Sequence, residues 1–406
     1  MAETLFLAHR IPFPPDRGDK IRSCNLLLAL CARGPVHVAT FGETDADMAA
    51  EGELAANAAS HILVRRTISN VRAGLNAIAS GKPVSLCAFA SAQIDHYVAR
   101  LIATRPIDTI VVFSGQMAQF IPASFAGRVV MDFVDMDSAK FAVYADAASG
   151  PMKVVHAREA RLLGQFEQQV ARRADVSLFV SPAEAALFRA GSNDPAVRVV
   201  PVGNGIDTVF YDPAGVAHAP FVGEPGPHLV FTGQMDYAPN IDAVEHFAKA
   251  VLPAVRVAHH QARFHIVGRN PSPAVRALAS LPGVDVAGEV ADIRPWIASA
   301  DVIVAPLRIA RGIQNKVLEA MAMARPVVAS FAAAEGIMAS ADTHFMVADD
   351  DAMATAINGL LADPTRATAM GQAARAHMLA AYQWDAQLSP LMQWLDQPAA
   401  VLQSAA

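Results

Sequence analysis

The sequence predicts an α/β protein of two domains, each built on a parallel sheet with helices on its faces. Short apolar runs such as residues 302–305 have the length and composition of strands that are buried on both sides. Helical segments separate many of these runs, so strands and helices alternate along the chain. The 406 residues are enough for two domains of ordinary size.

The predicted strands of the first half are residues 4–8, 36–41, 61–65, 107–113, 128–132, 176–180 and 197–202. Helices are predicted at residues 20–32 and 151–173, and the charged residues of the second helix indicate a solvated face. A linker rich in proline and glycine follows at residues 211–226. In the second half we predict strands at residues 228–232, 263–267, 284–287, 302–305 and 327–331, and helices at 241–251, 315–324, 350–362 and 365–381.

The composition excludes several classes of protein. Hydrophobic residues make up 53% of the chain and the mean hydropathy is +0.29, as expected for sheets covered on both faces. The net charge of −6 argues against a nucleic-acid partner. Cys24, Cys31 and Cys87 show no metal-ligand spacing, and so few cysteines fit a reduced compartment. The apolar N-terminus lacks a basic region and is interpreted as the first strand, so we expect a cytoplasmic protein.

One segment of the second half has the features of an anion site. A polar loop containing Arg311 and Gly312 joins the strand at 302–305 to a helix, at the strand end where such units bind ligands. The first N–H groups of the helix attract anions. Lys316 and Glu319 lie three residues apart and share a helix face. A cation for phosphate beside a carboxylate for paired hydroxyls suits a nucleotide sugar; the alternative is an ordinary surface ion pair.

This segment, Arg311-Gly-Ile-Gln-Asn-Lys316-Val-Leu-Glu319-Ala-Met, resembles the nucleotide-binding segment of GT-B glycosyltransferases, in particular the retaining family four. It is also similar to the sugar transferases associated with PEP-CTERM/exosortase loci and exopolysaccharide synthesis. The resemblance covers nearly the whole chain and implies two Rossmann-like domains facing each other across a cleft. An acceptor domain is expected at residues 1–205, joined by a C-terminal helix at 383–397, and a donor domain at 206–382.

The resemblance also implies roles for the loop and helix. Glu319 matches the glutamate that grips the ribose hydroxyls, and Gly312 belongs to the donor loop. The family usually has a second glutamate eight positions earlier, where this chain has Arg311. We expect Arg311 and Lys316 to hold the diphosphate and to act as the catalytic pair. The co-substrate is expected to be a UDP- or GDP-sugar, with no bound cofactor.

Further donor contacts are implied at other strand ends. Gly233 and Met235 match the Gly-x-Met element that relatives use close to the donor phosphates. Gly268 matches a Val-Gly strand end, and Val290 lies in a loop that flanks the base in relatives. Glu335 follows another strand and is a second candidate for a sugar hydroxyl; the alternative is a solvated turn residue.

The first strand-to-helix turn is a second candidate site. Gly18 permits close approach of the backbone to a ligand, and Arg17 and Lys20 supply positive charge. GT-B enzymes often place a glycine loop here, so Gly18 is assigned to donor binding and the two cations to acceptor binding. The alternative is a plain connector.

Three carboxylates follow the fifth strand, at Asp132, Asp135 and Asp137. They suit a divalent metal, which prefers oxygen ligands, or the hydroxyls of a sugar acceptor. Asp137 could also cap the following helix. Because GT-B folds normally need no bound metal, we assign Asp135 and Asp137 to the acceptor.

The predicted function is transfer of a sugar from a nucleotide-diphosphate donor to a saccharide or polyprenyl-linked acceptor, with retention, in exopolysaccharide synthesis. One alternative is an epimerase acting on a nucleotide sugar, with a base among His9, Asp135 and Asp137. Another is a non-catalytic nucleotide-sugar-binding protein, because Arg311 replaces the usual glutamate.

An apolar stripe in the first half has two interpretations. Ile68, Val71, Leu75 and Ile78 recur at helical spacing. Residues 54–94 contain no acid but include the basic residues Arg65, Arg66, Arg72 and Lys82. The stripe could lie on the inner face of the membrane as a peripheral contact, or it could pack onto the first sheet.

Overall fold

The computed structural model describes residues 2–192, 194–216, 220–221, 223–310 and 312–397. The chain divides into two compact units. The first contains the described residues up to Gly203 and from Leu388 onward, and the second is Asn204–Gln387. Both units are α/β, and every strand pair in their sheets is parallel. The predicted pair of parallel sheets is therefore confirmed.

The first unit has a seven-stranded sheet in the order β3-β2-β1-β4-β5-β6-β7. Its strands are β1 (Glu3–Ala8), β2 (Val36–Gly42), β3 (Ser60–Arg65), β4 (Ile107–Phe113), β5 (Arg128–Val134), β6 (Val176–Phe179) and β7 (Val199–Pro201). Its helices are α1 (Gly18–Cys31), α2 (Asp45–Ala49), α3 (Glu51–Asn57), α4 (Asn70–Ser80), α5 (Val84–Ala88), α6 (Ala92–Thr104), α7 (Asp137–Ala147), α8 (Gly150–Arg173) and α9 (Pro182–Gly191).

The second unit has a six-stranded sheet in the order β10-β9-β8-β11-β12-β13. Its strands are β8 (His228–Thr232), β9 (Arg263–Val267), β10 (Val284–Gly288), β11 (Val302–Ala305), β12 (Val327–Ala329) and β13 (Met346–Val347). Its helices are α10 (Ala238–His246), α11 (Leu252–Ala258), α12 (Pro273–Ala277), α13 (Arg294–Ser299), α14 (Asn315–Ala322), α15 (Phe331–Ala334), α16 (Asp350–Ala362) and α17 (Pro364–Ala381), and α18 (Trp384–Asp396) starts here.

In each unit, the strand order predicts a ligand-binding crevice at the carboxyl ends of two central strands. The chain winds outward from β1 to β3 and then returns to pair β4 with β1, and it does the same between β8 and β11. Open parallel sheets bind ligands at the carboxyl ends of the strands where the winding direction reverses. The loops after β1 and β4 define this position in the first unit, and those after β8 and β11 define it in the second.

One predicted helix and one predicted strand differ from the observed elements. The helix predicted at 241–251 continues from α10 through a π-helical segment, Phe247–Val251, into α11. Pro253 lacks a backbone N–H, and the ladder shifts by one residue immediately before it, where the N–H of Leu252 bonds to the carbonyl of Phe247. The strand predicted at 327–331 stops at Ala329, because the hydroxyl of Ser330 accepts from the N–H of Ala333 and starts α15.

The face of α8 predicted to be solvated carries buried acids. Glu159 and Glu167 are 2% and 3% exposed. Each accepts backbone N–H groups at the start of another helix: Glu159 from Val84 and Ser85, and Glu167 from Ser138. A carboxylate is stabilised there by the free N–H groups and the helix dipole. Sequence periodicity could not reveal these partners because they are distant along the chain.

The apolar stripe on α4 does not pack onto the sheet. The helix buries Ala73 and Ala77 in a small cluster with Cys87, and it turns Val71, Leu75 and Ile78 outward. Among the helices that the structure describes, none is long and apolar enough to cross a membrane.

Candidate active site

The second unit brings two strand ends into direct contact through glycines. A side chain at Gly268 would place its Cβ atom 1.6 Å from the carbonyl oxygen of Gly233. Gly268 also has a φ of 154°, which L side chains rarely adopt. The N–H of Gly233 donates to the carbonyl of Val267, at 3.0 Å. The sequence assigned both glycines to the donor; the contact shows that they also allow β8 and β9 to meet closely.

Lys316 lies beside this glycine contact. Its Nζ atom donates to Oδ1 of Asn240 at 2.7 Å and lies 4.0 Å from the ring centroid of Phe231. A Cβ atom at Gly233 would be 3.1 Å from the same Nζ. Burial lowers the pKa of Lys316 to about 7, and the charge of Glu319 opposes this shift. The ammonium group is therefore held at the end of β8 by a neutral amide and an aromatic face.

Glu319 occupies the next turn of α14 and is held by a residue that sequence analysis placed in the linker. The hydroxyl of Tyr211 hydrogen-bonds to the Glu319 carboxylate. Burial raises the pKa of Glu319, while Tyr211 and Lys316 act in the opposite direction. Burial also raises the pKa of Tyr211, so its hydroxyl remains protonated and donates. Tyr211 is a functional candidate with no local sequence signal, since its partner is 108 positions away.

The start of α14 follows a turn at Gly312 and is contacted by Asn204. Gly312 has a φ of 66°, and the N-cap residue Gln314 makes no side-chain cap hydrogen bond. Asn315 begins the helix and accepts from the amide of Asn204 at 3.4 Å. Arg311, predicted as the second catalytic cation, lies outside the described residues. The neighbouring Arg308 is exposed and pairs with Asp242.

Three other predicted donor residues occupy different environments. Met235 is fully buried, so its side chain anchors the loop after β8 in the core. Val290 is half-buried and packs against that core after β10. Glu335 is exposed at an open groove of about 610 Å³, which Phe331 and Phe345 also line.

In the first unit, the turn after β1 is organised by Asp19. Its carboxylate accepts from Arg10 at 2.7 Å and from Arg17 at 2.9 Å, and it lies 3.3 Å from Nε2 of His9. Burial opposes ionisation, but the hydrogen bond from His9 and the charges of His9, Arg17 and Arg10 hold the pKa of Asp19 well below its usual value. Arg17 therefore belongs to a charge network within its own loop.

Gly18 and Lys20 flank this carboxylate in the sequence and differ in exposure. Gly18 is the exposed first residue of α1. Lys20 is 4% exposed; its Nζ donates to Asp47 at 2.6 Å and to the carbonyl of Phe13 at 3.3 Å. The fold uses the charge of Lys20 to fix the turn, and a buried ion pair of this kind is costly to break from one side.

The end of β5 lies next to this turn and has an unusual backbone. Val134 has a φ of 69°, and Ser114 at the end of β4 has a φ of 77°. A β-branched residue rarely adopts this region, and such conformations concentrate at functional sites. Asp132 anchors the segment: it accepts from the N–H of Val134 at 3.1 Å and from the buried guanidinium of Arg22 at 2.9 Å.

Asp135 and Asp137, the two acids assigned to the acceptor, come immediately after Val134 in the sequence. Burial, with the charges of Glu184 and Asp137, raises the pKa of Asp135 to about 6. Burial also raises the pKa of Asp137, while Lys140 and His9 oppose the change. Oδ1 of Asp135 is buried and has no hydrogen-bond partner among the described residues. Over the described part of the chain, no group of three or more His, Cys, Asp or Glu residues could hold a metal ion.

Residues 226–363 match the family model described as "Glycosyl transferases group 1". HepE of Anabaena, solved with UDP and glucose, is 15% identical, with 98% of this chain and 100% of that chain covered and a TM-score of 0.68. Sucrose-phosphate synthase from Thermosynechococcus elongatus is 17% identical over the full length of both chains, with a TM-score of 0.68.

WaaG, described as a glycosyltransferase involved in lipopolysaccharide biosynthesis, is 15% identical, with 96% of this chain and 98% of that chain covered and a TM-score of 0.64. A comparison with curated proteins finds no match. At these identities the solved structures establish the fold, which is GT-B as predicted. The group 1 domain at 226–363 and this fold together indicate a glycosyltransferase.

Proposed function

We propose that the protein transfers a sugar from a nucleoside diphosphate donor to a saccharide acceptor, with retention of configuration at the anomeric carbon. The observation that carries this proposal is the placement of Lys316 and Glu319 on one face of α14. Lys316 stands at the glycine contact between β8 and β9, and Glu319 is held by Tyr211 one turn away. The spacing suits a phosphate followed by the paired hydroxyls of a ribose.

A UDP-sugar is the donor we propose. HepE has been solved with UDP and with UDP-glucose, and it shares the fold of this chain. In our proposal Glu319 accepts from both ribose hydroxyls, and the N–H groups at the start of α14 bind the diphosphate. Gly233 and Gly268 keep the ends of β8 and β9 in close contact beside Lys316, because a side chain at either position would collide with neighbouring protein atoms.

In this proposal, the main task of the protein is to stabilise the leaving diphosphate, and no side chain of the protein acts as a nucleophile. Negative charge grows on the diphosphate as the glycosidic bond breaks, so Lys316 and Arg311 lower the barrier by binding the transition state more tightly than the ground state. We infer that the acceptor attacks on the face from which the diphosphate departs. This part of the proposal follows the GT-B resemblance.

The acceptor in this proposal is a lipid-linked saccharide of exopolysaccharide synthesis, used at the cytoplasmic face of the inner membrane. Asp135 and Asp137 supply oxygens for sugar hydroxyls at the end of β5. The buried, unpartnered oxygen of Asp135 supports this assignment, because a hydroxyl would satisfy it. The resemblance to PEP-CTERM/exosortase-associated transferases supplies the expected acceptor class.

A donor panel tests the proposal directly. Purified enzyme is incubated with UDP- and GDP-sugars, with and without saccharide acceptors, and nucleotide release and product configuration are measured by NMR. We expect release of UDP, and a product with the anomeric configuration of the donor. Lys316→Met should lower turnover at saturating donor more than it lowers donor affinity. No nucleotide release from any donor, or an inverted product, would overturn the proposal.

One observation favours a second candidate, an epimerase acting on a nucleotide sugar. Asp135 has a pKa of about 6 and stands near Asp137, whose pKa is influenced by His9. A carboxylate with this pKa is suited to proton transfer near neutral pH. The same NMR experiment separates the two activities, because an epimerase converts the nucleotide sugar without releasing the nucleotide.

A further inference from the structure

An exposed apolar surface lies on helices α4 and α8 of the first unit. We call it the apolar platform and define it by Val71, Leu75 and Ile78 of α4 and Met152, Val154 and Val155 of α8. The three α4 side chains are 65–77% exposed, and Val154 is 70% exposed. Large aliphatic side chains with this exposure, spaced on one helix face, are unusual in a surface that meets only water.

Arg158 joins the two helices of the platform. Its guanidinium donates to the carbonyl of Ala77 at 2.8 Å and to that of Lys82 at 3.4 Å, both at the end of α4. Val154 and Val155 lie four and three residues before Arg158, so they share its side of α8. Val154 and Val155 therefore lie on the side of α8 from which Arg158 reaches the C-terminal end of α4.

Positive charge surrounds the platform. The segments 69–82 and 143–158 contain Arg72, Lys82, Lys153 and Arg158, and Asp146 is their single acid. Within the described chain, Arg72, Lys82 and Lys153 form no salt bridge, although Asp95 lies near Lys82. Their charges are available to an anionic partner, although the whole molecule has a net charge of −6.

Two arginines that the sequence grouped with this surface belong elsewhere. Arg65 pairs with Asp45, and Arg66 pairs with Glu43 and lies over the ring of Phe89. The cations that remain are those on α4, on the turn after it and at the start of α8.

We propose that the apolar platform docks the protein on an anionic phospholipid bilayer, with the aliphatic side chains in the headgroup–acyl boundary and the cations at lipid phosphates. An amphipathic surface with lysine and arginine beside its apolar residues has the composition of an interfacial membrane contact. Tyr144 of α7, 43% exposed and in ring contact with His156, adds an aromatic group of the kind found at membrane interfaces. The inference rests on the proposed function for its purpose, which is to reach a lipid-linked acceptor.

Vesicle sedimentation tests the platform without donor or acceptor. The full-length protein is mixed with phosphatidylcholine vesicles that contain or lack phosphatidylglycerol, at low and high salt. Wild type should bind the anionic vesicles at low salt and be released as salt screens the charges. The triple variant Val71→Gln, Leu75→Gln, Ile78→Gln should bind the anionic vesicles at least about tenfold more weakly than wild type. Arg72→Gln, Lys82→Gln, Lys153→Gln should lose the salt-dependent part of binding.

A matched control removes exposed aliphatic side chains elsewhere. Leu187→Gln, Val257→Gln, Leu379→Gln changes residues that are 43%, 88% and 42% exposed, and it should bind vesicles like wild type. All variants should keep the thermal midpoint and the UDP affinity of wild type, which shows that they fold.

Three results would overturn the inference: wild type that does not bind anionic vesicles, a platform variant that sediments like wild type, or a dimer that the platform variant abolishes in sedimentation velocity. The last result would assign the surface to a second copy of the chain. Failure of the proposed function would appear separately, as absence of nucleotide release in solution with normal vesicle binding.

Discussion

Lys316 places an ammonium group in a partly buried position, and among the described residues no carboxylate is hydrogen-bonded to it. Its contacts are the Asn240 amide and the Phe231 ring, which stabilise a cation less than an ion pair would. Burial consequently brings the pKa of Lys316 to about 7. A diphosphate bound beside it would supply the missing negative charge and raise that pKa.

We therefore expect UDP binding to take up a proton at Lys316. Above the free-state pKa of about 7 the amine is largely neutral, so binding at about pH 8 should consume up to about one proton, while binding at about pH 6 should consume none at this residue. The affinity for UDP should accordingly fall as the pH rises above 7. Calorimetry in buffers with different ionisation enthalpies measures the uptake.

Lys316→Arg is the control for this measurement, because arginine stays charged at these pH values and should show no uptake at pH 8. Uridine, which lacks the diphosphate, should show none with wild type. Equal proton uptake by wild type and Lys316→Arg would show that another group titrates.

Glu319 and Tyr211 allow a second prediction at the residue scale. Glu319→Ala should weaken UDP binding about tenfold to a hundredfold, since two hydrogen bonds to a carboxylate are lost. Tyr211→Phe removes only the hydroxyl that orients this carboxylate, and should weaken binding about threefold to tenfold. In the double variant Tyr211→Phe, Glu319→Ala, the effect of Tyr211→Phe should disappear, because the residues act as one unit.

Titration calorimetry of the four proteins gives the coupling energy. Additive losses would mean that Tyr211 does not act through Glu319, and an unchanged affinity for Glu319→Ala would remove the ribose assignment.

At the scale of secondary-structure elements, the start of α7 is built by acids from other helices. Glu167 of α8 accepts hydrogen bonds from both the N–H of Ser138, at 3.0 Å, and the hydroxyl of Ser138. Glu184 of α9 accepts from the N–H of Met136 at 2.9 Å. Burial raises the pKa of Glu167 to about 7 although Ser138 opposes the shift. This helix start presents Asp135 and Asp137, so the buried acids determine where the acceptor candidates stand.

Glu167 should make stability depend on pH. Its pKa rises from 4.5 in a solvated state to about 7 in the fold, so the folded state binds the proton more tightly. The contribution is complete below pH 4.5 and is lost as the pH rises through 7. Glu167→Gln should remove this dependence and raise the free energy of unfolding at about pH 8 by roughly 1–3 kcal/mol.

Urea unfolding of the full chain across this pH range measures the effect, with Glu53→Gln on the exposed face of α3 as the control. A pH profile of Glu167→Gln that is parallel to that of wild type would contradict the assignment. Because Asp135 also has a raised pKa, some of the slope should persist in the variant.

On the scale of the whole molecule, the second unit carries its candidate residues where its sheet reverses winding direction, whereas the first unit has Gly18 and Lys20 after β1 at that position and Asp135 and Asp137 after β5. Gly233, Lys316 and Gly312 follow or border β8 and β11, and His9 and Ser114 follow β1 and β4. The chemistry of the two units differs: the second has cations and a helix start at the reversal of its sheet, and the first has buried carboxylates at the end of β5. This division agrees with the proposed donor and acceptor roles.

The sequence by itself determined most of the parallel strands and several of the longer helices, and it singled out the segment from Arg311 to Glu319, because these depend on local hydrophobic patterning and on spacing along one helix. Only the tertiary structure decided that Tyr211 holds Glu319, that Lys20 and Glu167 are buried, and that α4 turns its aliphatic stripe outward. Each of these depends on partners far apart in the chain, such as Lys20 with Asp47 or Glu167 with Ser138. Burial and pairing are properties of those contacts, and residue patterns within one segment do not contain them.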